Sequence, residues 1–389
     1  MKILIVALDF KPLPGGVAEY THQIARYLQK GGDQVVVLSK KMKKAKEFDD
    51  HCPYKLQRFK HDSTMSVWKR YCQSYKAITA MVKRYSPDVL VSNALGSEAH
   101  LCWLVARMTR IPFVLFTYGS ELQAKAGLWW ELKKKLALKG AKKIFCISSF
   151  TQNLVVKSGV PSEKIFVVPG GVSLEDFQTQ IQSQSEVRVK HQLKGKRIIF
   201  TLGRLVERKG IDTVIKALPR IVKEAPSLVY LIGGEGPDQG RLKRLVKQYE
   251  VEDRVIFSGW VEEKEKWRYY KTGDIFVMPC RELENGEVEG FGLVFLEANI
   301  CGKPVIAGRS GGVPDAVEDK RTGLLVDPYD PEAVASAILY LLNNPRVASR
   351  LGENGRKRVI EKFSWERIVL RARLELVKLV EANVGAGRG

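Results

Sequence analysis

Residues 274–308, DIFVMPCRELENGEVEGFGLVFLEANICGKPVIAG, decide how the whole chain is read. Ile275–Met278 is a short apolar run of the kind buried in a parallel sheet, an acidic loop follows, and Gly290-Phe291-Gly292 opens a helix that carries Glu297. A second apolar strand, Pro304–Ala307, closes the unit. Glu289 and Glu297 stand eight residues apart. On one helix that spacing separates them by roughly 80° and about 12 Å, too far to share a proton or a metal ion. It suits one long ligand instead, met at one end by Glu289 and in its middle by Glu297. Between them Gly292, Leu293 and Val294 offer unpaired backbone N–H groups and a positive dipole end to an anion. A carboxylate, an anion cradle and a second carboxylate in line match a sugar, a diphosphate and a ribose. Taken alone, the pair also reads as an acidic loop capping an ordinary helix.

The 389 residues favour two domains, and a hydrophobic fraction of 45% is that of an ordinary globular protein. Six scattered cysteines form no C-x-x-C pair and no Cys/His group at metal-ligand spacing, so neither a disulfide framework nor a metal site is expected. The opening run Ile3–Leu8 is followed by Asp9 rather than a cleavage pattern, and no apolar stretch reaches about 18 residues. These features place the chain in a reducing, cytoplasmic compartment. The net charge of +21 is unevenly distributed, with 28 Lys and Arg against 14 Asp and Glu in residues 1–180. The first half is therefore expected to face something acidic, such as an anionic lipid surface, a phosphorylated acceptor or nucleic acid.

Strand-like and helix-like segments alternate throughout, which implies two doubly wound parallel sheets. The first half offers strands at Ile3–Ala7, Val35–Leu38, Val89–Val91, Phe113–Phe116, Ile144–Ile147 and Phe166–Val168. The second offers Ile198–Leu202, Leu228–Ile232, Val255–Phe257, Ile275–Met278, Val305–Ala307 and Gly323–Val326. The polar stretch Gln178–Ser185 has no apolar period and reads as a linker. The domains expected are residues 1–175 and 191–364, joined by 176–190, with a terminal helix over about 365–389 packing back on the first.

Several loops at strand ends carry chemistry. Lys11–Gly16 joins the first strand to a helix over Val17–Gln29, lacks the dinucleotide pattern G-x-G-x-x-G, and still permits close backbone approach at Gly16. A hydride-transfer cofactor is thereby disfavoured. Phe116–Glu121 leaves another first-domain strand and offers Tyr118 and Glu121. Thr201–Gly210 places Arg204 and Lys209 beside glycines at a strand end, where they can grip a diphosphate. The glycine loop at Ile232–Pro237 repeats the strand-to-helix arrangement, and Val255–Gly259 ends a strand where a base can stack or bond to backbone. Lys40–Lys46 is read as a solvated loop. Leu128–Lys143, LWWELKKKLALKGAKK, spaces Leu128, Trp129, Leu132 and Leu136 at helical intervals among lysines, as a helix on an anionic membrane surface or a plain surface helix would.

With these residues together, the chain resembles the retaining glycosyltransferases of family 4. The resemblance is carried by Gly15-Gly16, Gly203-Arg204 with Lys209-Gly210, Glu289–Glu297, Ser310–Asp315 and Gly323–Val326. It implies an α/β GT-B fold, two facing Rossmann-like domains with a nucleotide-sugar donor in the cleft. By the resemblance Arg204 and Lys209 hold the donor phosphates, Glu297 the ribose hydroxyls, and Glu289 a hydroxyl of the transferred sugar, with Arg204, Lys209 and Glu289 the catalytic set. Gly16, Gly203, Phe291, Gly292, Leu293 and Val294 complete donor binding. The family usually has His at the position of Tyr118, and a phenol is neither cationic nor basic near neutral pH without a large pKa shift. Tyr118 and Glu121 are therefore assigned only as contacts to acceptor or sugar. No base is strictly required if the leaving phosphate oxygen takes the acceptor proton. The absence of any D-x-D pair implies no divalent metal and no cofactor besides the donor substrate.

The segment Met278–Arg281 with its acidic loop is similar to that of bacterial mannosyltransferases acting on phosphatidylinositol-type lipids, which tilts the donor towards GDP-mannose over a UDP-sugar. The basic first domain independently favours a lipid-linked or saccharide acceptor in cell-envelope synthesis and a peripheral position on the inner face of the cell membrane. One rival is a non-catalytic basic protein binding membrane or nucleic acid, but no nucleic-acid motif is present and the lysines are spread over many elements. An epimerase or a phosphorylase of the same architecture lacks its acid–base pair or its cofactor lysine.

Overall fold

The computed structural model describes residues 1–389 apart from 14, 44, 62–63, 125–126, 180–184 and 387–389. The described chain divides into two compact units. One comprises Met1–Pro169 with Trp365–Gly389, and the other Gly170–Ser364. The stretch 176–190 expected as a linker holds helices Leu174–Thr179 and Ser185–Lys190 inside the second unit, and residues 180–184 lie outside the described chain.

In the first unit seven strands form one parallel sheet: β1 (Lys2–Val6), β2 (Gln34–Lys40), β3 (Lys55–Phe59), β4 (Val89–Ser92), β5 (Phe113–Thr117), β6 (Lys143–Cys146) and β7 (Ile165–Val167), in the order β3-β2-β1-β4-β5-β6-β7. Every pair is parallel, as near-continuous Val, Ile and Leu runs buried on both faces require. The sequence reading offered six strands here. The seventh, β3, is KLQRF at the sheet edge with no fully buried residue, so it carried no apolar run to betray it.

The C-terminal helix Trp365–Ala386 belongs to this unit. The Trp365 ring meets the Tyr20 ring edge-on at 5.3 Å, and Arg373 pairs with the buried Asp33 at 2.8 Å.

The second unit has six parallel strands: β8 (Arg197–Leu202), β9 (Leu228–Gly233), β10 (Val255–Gly259), β11 (Ile275–Met278), β12 (Val305–Gly308) and β13 (Gly323–Val326), in the order β10-β9-β8-β11-β12-β13. A cluster of edge-on and tilted aromatic rings anchors its middle. Phe200 on β8 meets Phe276 on β11 at 5.0 Å, and Tyr270 and Phe295 pack against Phe276 at 5.8 and 5.9 Å.

In each sheet the strand order reverses once, between β1 and β4 in the first unit and between β8 and β11 in the second. Open α/β sheets present ligand groups outside the carboxyl ends of the strands at such a reversal. The candidate residues of the second unit lie in the loops after β8 and β11 and in the helix Leu293–Ile300 that follows the latter. The loop after β1, in the first unit, ends at Gly15-Gly16.

Candidate active site

In the second unit the loop after β8 runs through a 3-10 turn, Glu207–Lys209, into helix Ile211–Glu224. Gly210 links the two with φ +70°, and a Cβ there would lie 2.0 Å from the Pro279 carbonyl oxygen. Only glycine lets the β8 and β11 loops close together this tightly. The contact puts two cations on one carboxylate: Lys209 Nζ lies 2.5 Å and Arg208 Nη1 2.6 Å from Glu289 Oε2. Glu289 Oε1 makes no hydrogen bond to the described residues and is left for a hydroxyl donor. Burial alone would raise this carboxyl, but Lys209 and Arg208 outweigh it and hold Glu289 down at about 2. The Glu289 carbonyl accepts from Gly312 N–H at 2.9 Å, so the Ser310-Gly311-Gly312 turn backs the acidic loop.

Three residues beyond Glu289, Gly292 adopts φ +95° as the N-cap of helix Leu293–Ile300 and supplies no side-chain cap. The Leu293 and Val294 amides therefore open this helix with a positive end that no side chain among the described residues caps. Glu297, the fifth residue of the helix, accepts from Lys266 Nζ at 2.8 Å on one oxygen and from Tyr270 Oη at 2.6 Å on the other. Lys266 and Tyr270 come from helix Lys266–Thr272 and hold Glu297 in one orientation. Each carboxylate oxygen keeps a lone pair for a diol.

Beneath the cations lies a buried clamp. Arg281, 6% exposed, places Nη1 and Nη2 at 3.2 and 3.1 Å from Asp212 Oδ2, and its backbone N–H donates to the Arg208 carbonyl at 2.8 Å. One residue thus ties the start of helix Ile211–Glu224 and the Arg208–Lys209 turn to the β11 loop.

The structure brings together Lys209, Glu289, Gly292, Leu293, Val294 and Glu297, with Phe291 buried beneath the loop. Arg204 is exposed and forms no ion pair with the described residues. Gly203 sits between sheet and turn, its N–H bonded to the Gly233 carbonyl at 3.0 Å. Sequence reasoning missed Arg208, Lys266, Tyr270, Arg281 and Asp212. Arg208 was visible as a third cation in the quoted motif, but spacing could not say which cation meets the acid. Lys266 and Tyr270 lie in a stretch with no recognised pattern and left no signal.

In the first unit Gly15 precedes helix Gly16–Lys30 without a side-chain cap, and a Cβ on Gly16 would meet open space. The Tyr118 ring packs edge-on against Tyr20 at 5.5 Å, and its hydroxyl is buried near Thr21 without a hydrogen bond of normal geometry. Burial pushes it above the usual phenol range, so Tyr118 is a neutral group and no base. Glu121 accepts the Tyr118 amide N–H, so this carboxylate braces its own loop. Glu98, in the first turn of helix Ser97–Thr109 after β4, is buried and pushed up to about 7. Desolvation is the main cause; a backbone N–H and Lys40 oppose it, while Asp9 and Glu121 add to it.

Two family profiles match this chain, Glycosyltransferase Family 4 over residues 14–176 and Glycosyl transferases group 1 over residues 183–358. A GDP-mannose-dependent alpha-(1-6)-phosphatidylinositol monomannoside mannosyltransferase of Mycolicibacterium smegmatis is 30% identical over 93% of this chain and 95% of its own. The chain belongs to glycosyltransferase family 4. A monoacylated phosphatidylinositol monomannoside mannosyltransferase of Corynebacterium glutamicum, also named GDP-mannose-dependent, is 28% identical over 94% of this chain and 95% of its own. The Anabaena protein HepE in complex with UDP superposes with a TM-score of 0.82, covering 97% of this chain and all of its own at 18% identity. The two doubly wound sheets are therefore those of a GT-B glycosyltransferase, and this family 4 chain is an enzyme. No helix among its described residues is long and apolar enough to cross a membrane.

Proposed function

We propose that this family 4 enzyme transfers a hexose, mannose in preference, from GDP-mannose to a hydroxyl of a lipid-linked or saccharide acceptor in the cell envelope, with retention of configuration. The observation that carries the reading is the line formed by Lys209 and Arg208 on Glu289, the uncapped helix start at Leu293, and Glu297 inside that helix. Departure of a nucleoside diphosphate builds negative charge on oxygen while the sugar becomes cation-like. Lys209, the exposed Arg204, and the Leu293 and Val294 amides stabilise the first charge. Glu289, ionised by its two cations, holds a sugar hydroxyl, and Glu297 takes the ribose diol. The leaving phosphate oxygen receives the acceptor proton, so no protein base is called for.

The lean to mannose rests on the 30% and 28% identical relatives named GDP-mannose-dependent. A UDP-sugar is the second reading, favoured by the HepE complex with UDP. A thermal-shift and slow-hydrolysis panel with GDP-mannose, UDP-glucose, UDP-galactose and UDP-N-acetylglucosamine, on wild type and Glu297→Ala, decides between them. Stabilisation by GDP-mannose alone, lost in the variant, supports the proposal. Stabilisation by a UDP-sugar replaces the donor, and no response to any of the four overturns it.

A further inference from the structure

The first unit carries an apolar patch that no described residue of that unit covers. Helix Val67–Tyr85 follows β3 and helix Leu128–Gly140 follows the β5 loop. At their first turns Val67 is 73%, Trp68 71%, Leu128 86% and Trp129 77% exposed, and Leu132 is half exposed one turn on. The two helix starts are joined through one ring. Trp68 stacks on Tyr71 with centroids 6.1 Å apart and planes 13° from parallel, and Lys133 Nζ lies 4.5 Å over the same Tyr71 ring. Lys133 stands one helical turn beyond Trp129. Trp68 and Trp129 therefore belong to one face.

The charge around the patch is of one sign. The two helices hold nine Lys and Arg residues and a single acid, Glu131, which is paired with Lys134 at 2.9 Å. A second copy of this chain would bring the same sign of charge and be repelled. A soluble polyanion would pair with the lysines but leave Val67, Trp68, Leu128 and Trp129 in water. An anionic bilayer satisfies both features, because tryptophans and aliphatic side chains enter the headgroup region while lysines meet lipid phosphates.

We infer that the face formed by Val67, Trp68, Leu128, Trp129 and Leu132 with Lys133 and Lys135 docks this protein on an anionic lipid bilayer. Both helices start at the carboxyl ends of the sheet strands, the end at which the loops after β1, β4 and β5 present Gly16, Glu98, Tyr118 and Glu121. Docking brings the lipid phase to the edge of the unit where a lipid-linked acceptor would be received. This orientation rests on the acceptor reading, whereas the docking itself does not.

Co-sedimentation of the full chain, without donor, with vesicles of phosphatidylcholine alone or mixed with phosphatidylglycerol tests the assignment. Binding is expected to require phosphatidylglycerol, to fall at least about tenfold in Trp68→Ala/Trp129→Ala, and to fall about fivefold for each of Lys133→Gln and Lys135→Gln. The tryptophans and Lys135 are exposed and Lys133 is half-buried over the Tyr71 ring, all away from the second unit's candidate residues in the sequence, so donor hydrolysis in solution stays at the wild-type level and the melting temperature close to it, separating this outcome from failure of the transferase reading. Absence of vesicle binding, or binding indifferent to the tryptophans or to lipid charge, overturns the inference. So does retention on heparin that equals vesicle binding and survives the loss of both tryptophans, which would give the face to a soluble polyanion.

Discussion

Lys209 Nζ lies 2.5 Å from Glu289 Oε2, joining the loops after β8 and β11 across the point where the second sheet reverses its strand order. In the proposed reaction Lys209 serves the leaving diphosphate while keeping Glu289 ionised for the sugar. Lys209→Ala is expected to lower kcat by about 10²–10³, some 2–4 kcal/mol of transition-state stabilisation, as loss of one preorganised charge donor does. Arg204→Ala should fall in the same range with little change in melting temperature, since Arg204 is exposed. Steady-state hydrolysis of the donor with a thermal melt on each variant checks both. An Arg204 variant of wild-type activity removes it from the catalytic set.

The Glu289 carboxyl, at about 2 in the folded protein and about 4.3 in an unfolded chain, makes stability depend on acid. Its folded value is depressed, so its contribution is complete above about pH 4.3 and is lost as pH falls towards 2. Urea unfolding of wild type and Glu289→Gln from pH 7 to pH 3 should show a stability gap that is widest at neutral pH and narrows below about pH 4. A constant gap would mean the cations act on Glu289 only through shape.

Glu98 runs the other way. Desolvation lifts it to about 7, so the folded protein bears a cost once Glu98 ionises. The advantage of the neutral form is complete below about pH 4.3 and gone above about pH 7. Glu98→Gln should therefore match wild type near pH 4 and exceed it at pH 8 by on the order of 2–3 kcal/mol. Chemical denaturation at the two pH values tests this, and a destabilised variant at pH 8 contradicts it.

Arg281 and Asp212 are 6% and 2% exposed and hold each other under the Arg208–Lys209 turn. Arg281→Ala takes the nearest cation from the buried Asp212 carboxylate, leaving it Arg241 at 3.5 Å and Lys216 at 3.7 Å, and should cost about 1–3 kcal/mol, whereas Arg281→Met with Asp212→Leu should recover most of that stability. If the pair also positions Lys209, the double variant regains its melting temperature but not its donor KM. Calorimetry beside donor kinetics separates the two roles.

Tyr270→Phe removes one of the two donors on Glu297 and leaves Lys266 in place. A hydrogen bond to a charged group contributes about 1.5–3 kcal/mol, so donor affinity should fall by roughly 10–100-fold with kcat largely kept. Titration calorimetry with the donor that stabilises the wild type is the measurement, and unchanged affinity would detach Glu297 from the ribose.

Much of the architecture was legible in residue order. Twelve of the thirteen strands are apolar runs bounded by loops, and burial on both faces of a parallel sheet demands such runs wherever they fall. Glycines that the backbone requires, at Gly210 and Gly292, were legible for the same local reason. The edge strand β3 was not, because it pairs on one side only, with β2, and its residues KLQRF are half-buried or exposed, so no apolar run marks it. Charge partners escaped too. Arg204, Arg208 and Lys209 look alike in sequence, and only the packing of the β8 loop onto Pro279 turns two of them to Glu289 and leaves the third in solvent. Lys266, Tyr270, Asp212 and Arg281 reach their partners over 27 to 69 residues of chain. Periodicity reports a residue's relation to its own element, whereas an ion pair depends on where two elements meet, and that meeting is decided by the strand order and the aromatic cluster of Phe200, Phe276, Tyr270 and Phe295.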